Sequence, residues 1–359
     1  PPPYQVFNLT TYPHLVGLFN ELGVESERSD MSFALSTDDV EWGSLGLGAV
    51  FAQKKNLVSP SFLNMIREIL KFGKRAPEVL DPSKSAKYEA MTLGEYLAEN
   101  GYSTFFIDNY VVPMCAAIWS CSDKDTMQFP VVTLIRFWVN HHLLNVIERP
   151  LWRVVKGRSK AYVDAVCAAL PDVRTSTPVV SVKRVPGGVE VTHRGGGDKP
   201  TVELFEDVVF ACHSDQALAI LGSNASQSEK NALGAIKYQP NEVYLHGDKS
   251  LMPKNRDAWA SWNCLKGSRG CDSGDKSVCV SYWVNLLQNL PEGTPDLFVT
   301  LNPPKVPSKE TTQYHVTLAH PLFNKEAIAA QKTIEELQGS GGVWFCGAWC
   351  GYGFHEDGI

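Results

Sequence analysis

Apolar residues recur at helical spacing from Tyr12 to Leu22, with Leu15, Leu18, Phe19 and Leu22 on one face and Gly23 where a C-cap belongs. The pattern predicts a helix there. Met31 to Ser36 and Val40 to Trp42 flank Thr37, Asp38 and Asp39, which predicts a hairpin turned by short acidic side chains. From Pro60 to Gly157 helical spacing dominates, and Phe62, Met65, Ile66, Ile69 and Leu70 form one stripe expected to face the core. Thr92 with Glu95 makes a capping box before a short helix ending at Gly101. A further helix is expected from Pro130 to Asn145, its His141 and His142 satisfying end carbonyls or facing solvent rather than binding a ligand.

The texture changes at Gly157. Arg158 to Leu170 reads as an alanine-rich helix, followed by strand-like runs Pro178 to Arg184, Val189 to His193 and Val202 to Ala211. Gly187-Gly188 and the run from Arg194 to Asp198 supply turns, so the runs predict a small antiparallel meander. Asp207 to Ala211 is almost continuously apolar, as expected of a strand buried on both faces. A helix from Ser214 to Leu221 follows. Beyond Gln227, strands at Glu242 to His246, Trp259 to Asn263, Ser277 to Trp283, Leu297 to Leu301 and Tyr314 to Leu318 alternate with polar loops, which implies an antiparallel sheet. Asn324 to Leu337 reads as a helix, and Gly341-Gly342 leads into a strand from Val343 to Cys346.

A chain of 359 residues, 44% apolar, is long enough for two domains or one large α/β body. The formal net charge of -6, with Lys and Arg scattered, argues against nucleic acid as a partner. Nine dispersed cysteines without a CxxC pair suit buried thiols in a reducing, cytoplasmic compartment better than a disulfide framework. No metal site is expected, since Cys346 and Cys350 lack matching ligands nearby. The most apolar stretches, Tyr110 to Trp119 and Phe129 to Val139, are interrupted by Pro113 and Arg136, and neither reaches the length a membrane span requires. The chain opens Pro-Pro-Pro-Tyr-Gln-Val-Phe-Asn, without Met, and is expected to be cut from something longer.

The strongest candidate chemistry lies in the last residues. The strand from Val343 runs into a loop with glycines at 347, 351, 353 and 358, which lets backbone approach a ligand closely. His355, Glu356, Asp357 and Gly358 then have the composition of a helix N-terminus, a place for a negatively charged group. The two carboxylates suit hydroxyl acceptance or helix capping better than phosphate contact, because like charges repel.

The string FCGAWCGYGFHEDGI resembles the closing motif of flavin-containing amine oxidoreductases. PVVSVKRVPGGVEV with VVFACHSDQAL resembles that family's strand pair near the adenine and its strand-to-helix connection. FNLTTYPHLVGLFNELGV, SDMSFALSTDDVEWGS and LHGDKSLMPKNRDAWASWN resemble the flavoprotein branch that in plants is fused ahead of a cyclopropane fatty acid synthase. This resemblance implies an α/β protein with an FAD/NAD(P)-binding Rossmann-like domain interleaved with a helical plus antiparallel-sheet substrate domain. The Rossmann-like part would take residues 1–8, 150–215 and 336–359, and the substrate domain 9–149 and 216–335. It implies FAD as cofactor, with Gly347, Gly353, His355, Glu356, Asp357 and Gly358 lining the flavin and its ribityl arm and Val179 offering backbone to the adenine.

The implied activity is hydride transfer from an apolar or lipid-related substrate to flavin. The implied partners are that small substrate, a peripheral membrane contact and a fused methyltransferase domain in the longer protein. Catalytic residues are not legible: Lys237 stands where amine-oxidising relatives carry a lysine, and its simpler reading is a surface lysine. Trp119, Trp138, Trp259, Trp262 and Trp283 could wall an apolar cavity but read first as core. The family's opening strand and GxGxxG turn have no counterpart, so the first βαβ of the Rossmann-like domain is expected to be missing; Gly46-Leu-Gly48 reads as an ordinary loop. A carotenoid desaturase/isomerase-like or protoporphyrinogen-oxidase-like flavoenzyme is the alternative. A non-catalytic remnant or binding module is the alternative of another class.

Overall fold

The computed structural model describes residues 6–119, 122–145, 150–195, 199–267 and 279–359. Cys121, Cys271, the glycine turn at 196–198 and the start of the expected strand at Ser277 lie outside the described residues, as does the opening stretch 1–5. The strands are β1 (Val6–Asn8), β2 (Ser26–Arg28), β3 (Phe33–Ser36), β4 (Glu41–Gly43), β5 (Trp152–Val155), β6 (Val179–Val185), β7 (Gly188–His193), β8 (Thr201–Phe205), β9 (Val208–Phe210), β10 (Tyr238–His246), β11 (Trp262–Leu265), β12 (Cys279–Trp283), β13 (Phe298–Leu301), β14 (Thr312–Pro321) and β15 (Val343–Phe345). The chain is mixed α/β and divides into two compact units. One comprises Pro1–Thr11, Glu25–Arg158 and Gln239–His320; the other comprises Tyr12–Val24, Ser159–Tyr238 and Pro321–Ile359.

In the first unit, seven strands lie in the order β14-β10-β13-β12-β11-β3-β4. The pairs β10–β13, β13–β12 and β12–β11 are antiparallel, as expected of successive strands joined by polar loops. The β3–β4 hairpin extends this sheet because β3 runs parallel to β11, with Ala34 opposite Asn263. Thr37 helps close its turn, its Oγ1 accepting the amides of Asp39 (3.2 Å) and Val40 (2.9 Å). β11 begins at Trp262, later than expected, since Arg256–Ala258 forms a turn capped by Asn255 and Trp259 Nε1 donates to Pro253 O at 2.9 Å. A second sheet, β1-β5-β2, is antiparallel.

The helical part of this unit packs around Phe72, whose ring meets Tyr96, Tyr102, Phe106 and Trp138. Phe72 lies on the helix Pro60–Arg75, which Ser59 caps by accepting Phe62 N. That helix buries Phe62, Met65 and Phe72, but Leu70, expected on the same face, is 55% exposed. Thr92 and Glu95 form the expected capping box of Leu93–Glu99. The helix expected to reach Asn145 stops at Asn140, and His142 adopts a positive φ of 55°. His141 is buried against the Phe137 ring instead of facing solvent. Among the described residues no helix is long and apolar enough to cross a membrane.

The second unit contains the meander β6-β7-β8 and a parallel pair, β9 with β15. The pair is in register Val208↔Val343, Val209↔Trp344 and Phe210↔Phe345, and the Phe210 and Phe345 rings stack. One face of the pair packs on Ala217, Leu221, Ala327, Ile334 and Trp349. The expectation that this strand is buried on both faces fails: Val209 is 59% exposed and Trp344 42%. β9 is short, and only its Phe210 side reaches a core. The helix Ser159–Ala169 forms where alanine content predicts it, yet none of its residues is buried.

Candidate functional site: the carboxy-terminal turn

β9 and β15 run in the same direction, so the segments leaving them, Ala211–Cys212 and Cys346–Gly347, emerge at the same end of the pair. In parallel sheets this carboxyl end is where ligands bind. Several bonds fix the exit. Cys346 N donates to Phe210 O at 2.9 Å, and Trp349 Nε1 donates to Cys212 O at 3.0 Å. Gln338 brackets Phe345 by accepting its amide and donating to its carbonyl, each at 2.8 Å. Gln331 Nε2 donates to Trp349 O (3.0 Å) and Gly351 O (2.7 Å).

Gly347 has φ +142°, and a Cβ there would come within 2.7 Å of Trp349 Nε1. A Cβ at Gly351 would come too close to the Asp357 carboxylate, so that side chain would have to shift. These two glycines are required by the loop's own packing, whatever it binds. Gly353 faces the Phe323 ring and Gly358 lies over Ala348. His355–Gly358 is a short 3-10 turn.

The two carboxylates have protein partners. Glu356 accepts the amides of His14 (2.9 Å) and Leu15 (3.0 Å), one on each oxygen, and so serves the N-terminus of the helix Pro13–Glu21. Asp357 accepts Phe354 N at 2.9 Å. Burial raises the Asp357 pKa, against the amides of Phe354 and Tyr352, and Glu356 raises it further. Tyr12 is raised by burial and then by Asp357 and Glu356. Burial lowers the His355 pKa, which favours a neutral ring. The thiols of Cys212, Cys346 and Cys350 are all raised by burial, Cys350 to about 11, so they stay protonated and unreactive at neutral pH.

Other sequence candidates lie elsewhere. Val179 opens β6 opposite His193. Lys237 donates to Gly234 O at 2.7 Å as an exposed side chain. Gly46-Leu-Gly48 is the first part of the helix Gly46–Val50, not a loop. Trp119, Trp138 and Trp259 are buried in the first unit, while Arg256 lies over the faces of Trp259 and Trp283.

A buried polar chain in the first unit was not anticipated. Asp248 N donates to His246 Nδ1 (3.0 Å), so Nε2 carries the proton and donates to Thr300 Oγ1 (2.7 Å). Thr300 in turn donates to Ser281 Oγ (2.7 Å), and Ser281 donates to Leu251 O (2.6 Å). Burial lowers the His246 pKa to about 4. The available signal was a polar residue inside each of three apolar strands, at Asn263, Ser281 and Thr300. Alternation reads such positions as solvent-facing, whereas all three are fully buried.

No family model matches the chain, and no curated protein does. Solved structures match at the level of fold. A putrescine oxidase redesigned in its cofactor binding aligns with 99% of this chain and 84% of its own, with a TM-score of 0.62 and 12% identity. A CLA-producing fatty acid isomerase from P. acnes aligns with 99% and 83%, with a TM-score of 0.64 and 11% identity. Cyclohexylamine oxidase from Brevibacterium oxydans aligns with 98% and 84%, with a TM-score of 0.57 and 12% identity. The chain thus has the fold shared by these two oxidases and the isomerase.

Proposed function

We propose that this chain is an FAD-dependent oxidoreductase of the amine-oxidase type, taking hydride from an apolar or lipid-related substrate. The observation that carries the reading is the extent of the fold likeness: 98–99% of the chain follows two oxidases of amines, rather than one unit following one domain. The shared carboxyl end of β9 and β15 fits a dinucleotide-type ligand. FAD, when bound, would supply the hydride acceptor. The chain's part is to hold and position it. Backbone at Gly347, Gly353 and Gly358, with His355, would line the flavin, and Val179 would face the adenine. Glu356 and Asp357 already accept protein amides. Their contact with ribityl hydroxyls would therefore use lone pairs that those bonds leave over.

The test is to purify the protein, record its visible absorbance and titrate it with FAD while following flavin fluorescence. Flavin absorbance or saturable quenching is expected. A colourless protein that takes up no FAD would refute the reading. It would favour a non-catalytic binding module.

A further inference from the structure

Residues 45–75 hold six basic side chains and one acidic one, Glu68, in a chain of formal net charge -6. Glu68 is buried and accepts the amide (2.8 Å) and hydroxyl (2.5 Å) of Ser103, so it adds little to the surface field. Lys71 is occupied with Asn100 O and the Tyr102 ring. Lys54, Lys55, Arg67, Lys74 and Arg75 remain exposed. The next acid, Glu78, lies beyond the helix and pairs with Lys84 at 3.1 Å.

Aliphatic tips stand among these cations. Leu63, Arg67, Leu70 and Lys74 follow one another at spacings of four, three and four, which places them in a single line along Pro60–Arg75. At the amino end of that helix, Leu57 and Val58 project from the turn Lys54–Val58, Val58 being 80% exposed. Leu47, 79% exposed, projects from Gly46–Val50. The Phe51 and Phe62 rings, 6.1 Å apart, join the segment just after this short helix to the start of the long one.

We propose that this face docks on an anionic lipid bilayer. Aliphatic tips enter the boundary between headgroups and acyl chains, while the neighbouring Lys and Arg reach back to phosphates. The pattern suits lipid better than protein, because the apolar centres of protein interfaces are depleted in lysine, whereas here cations and aliphatic tips alternate. The proposal does not rest on the flavin reading.

Co-sedimentation of the intact chain with vesicles of phosphatidylcholine, with and without phosphatidylserine, tests it. Binding is expected only with phosphatidylserine and is expected to fall as salt rises. The double variants Leu47→Asp with Val58→Asp, and Lys54→Glu with Lys55→Glu, should each lower the partition coefficient by about tenfold or more. Their circular dichroism should match the parent, because all four side chains are exposed. Three outcomes would overturn the proposal: no binding to either vesicle, equal binding to both, or double variants that bind like the parent. Self-association without lipid that the same variants abolish would also overturn it, assigning the face to a second copy of the chain.

Discussion

The carboxylate of Glu356 accepts the backbone amide of His14 at 2.9 Å, joining two residues 342 positions apart in the sequence. With Leu15 N on its other oxygen, it does for the helix Pro13–Glu21 what a local cap would do, since the Tyr12 side chain at the N-cap does not cap the helix. Glu356→Ala should therefore destabilise the protein by about 0.5–2 kcal/mol, the usual worth of a cap. Glu356→Gln, which keeps an acceptor but loses the charge, should fall between. Urea unfolding reads both, and an unchanged midpoint for the alanine variant would remove Glu356 from this role.

Gly347 gives a second test. Gly347→Ala must place a Cβ within 2.7 Å of the Trp349 indole at a φ of +142°, so either the ring or the backbone has to move. The expected cost is about 1–3 kcal/mol, seen as a lower melting temperature. A change in tryptophan fluorescence should accompany it, because Trp349 would lose its bond to Cys212 O.

Acid should weaken the first unit through its histidines. Burial lowers the pKa of His246 and of His141 to about 4 each. Unfolding returns each to about 6.5, so between these values the unfolded chain binds more protons and stability falls as pH falls. The stabilisation is complete above about pH 6.5 and is lost progressively down to about pH 4. Denaturant midpoints measured across this window should show the decline. His246→Gln should flatten its share of it.

Phe72 is the natural probe of the helical core. It is 1% exposed and surrounded by four aromatic rings. Phe72→Ala should cost about 3–5 kcal/mol, whereas Leu70→Ala on the exposed side of the same helix should cost well under 1 kcal/mol. Equal effects would show that the burial pattern is wrong.

Elements were legible where local chemistry decides them. The capping box at Thr92 and Glu95, the C-cap glycine after Leu22 and the strands from Glu242 onward all declare themselves within a few residues. Partnership was not. Nothing near Phe33 shows that β3 runs parallel to β11, and nothing near Val208 shows that β9 leaves the meander for β15. Which face a helix buries was legible only in part: periodicity groups Leu70 with Phe62 and Met65, but the packing partners select a face centred on Phe72. At the tail, the glycines at 347 and 351 were legible as close-contact positions. Their nearest neighbours, Trp349 and Asp357, come from the loop itself.

The β9–β15 pairing also sets an order on synthesis. Val208 must wait for Val343, 135 residues later, which at roughly 5–20 residues per second is roughly 7–27 s. For that interval the nascent chain presents Val208, Val209 and Phe210 as an unpaired apolar edge, open to other strands. The second unit is accordingly the part of the protein whose yield should depend most on translation rate and on chaperones that cover such edges.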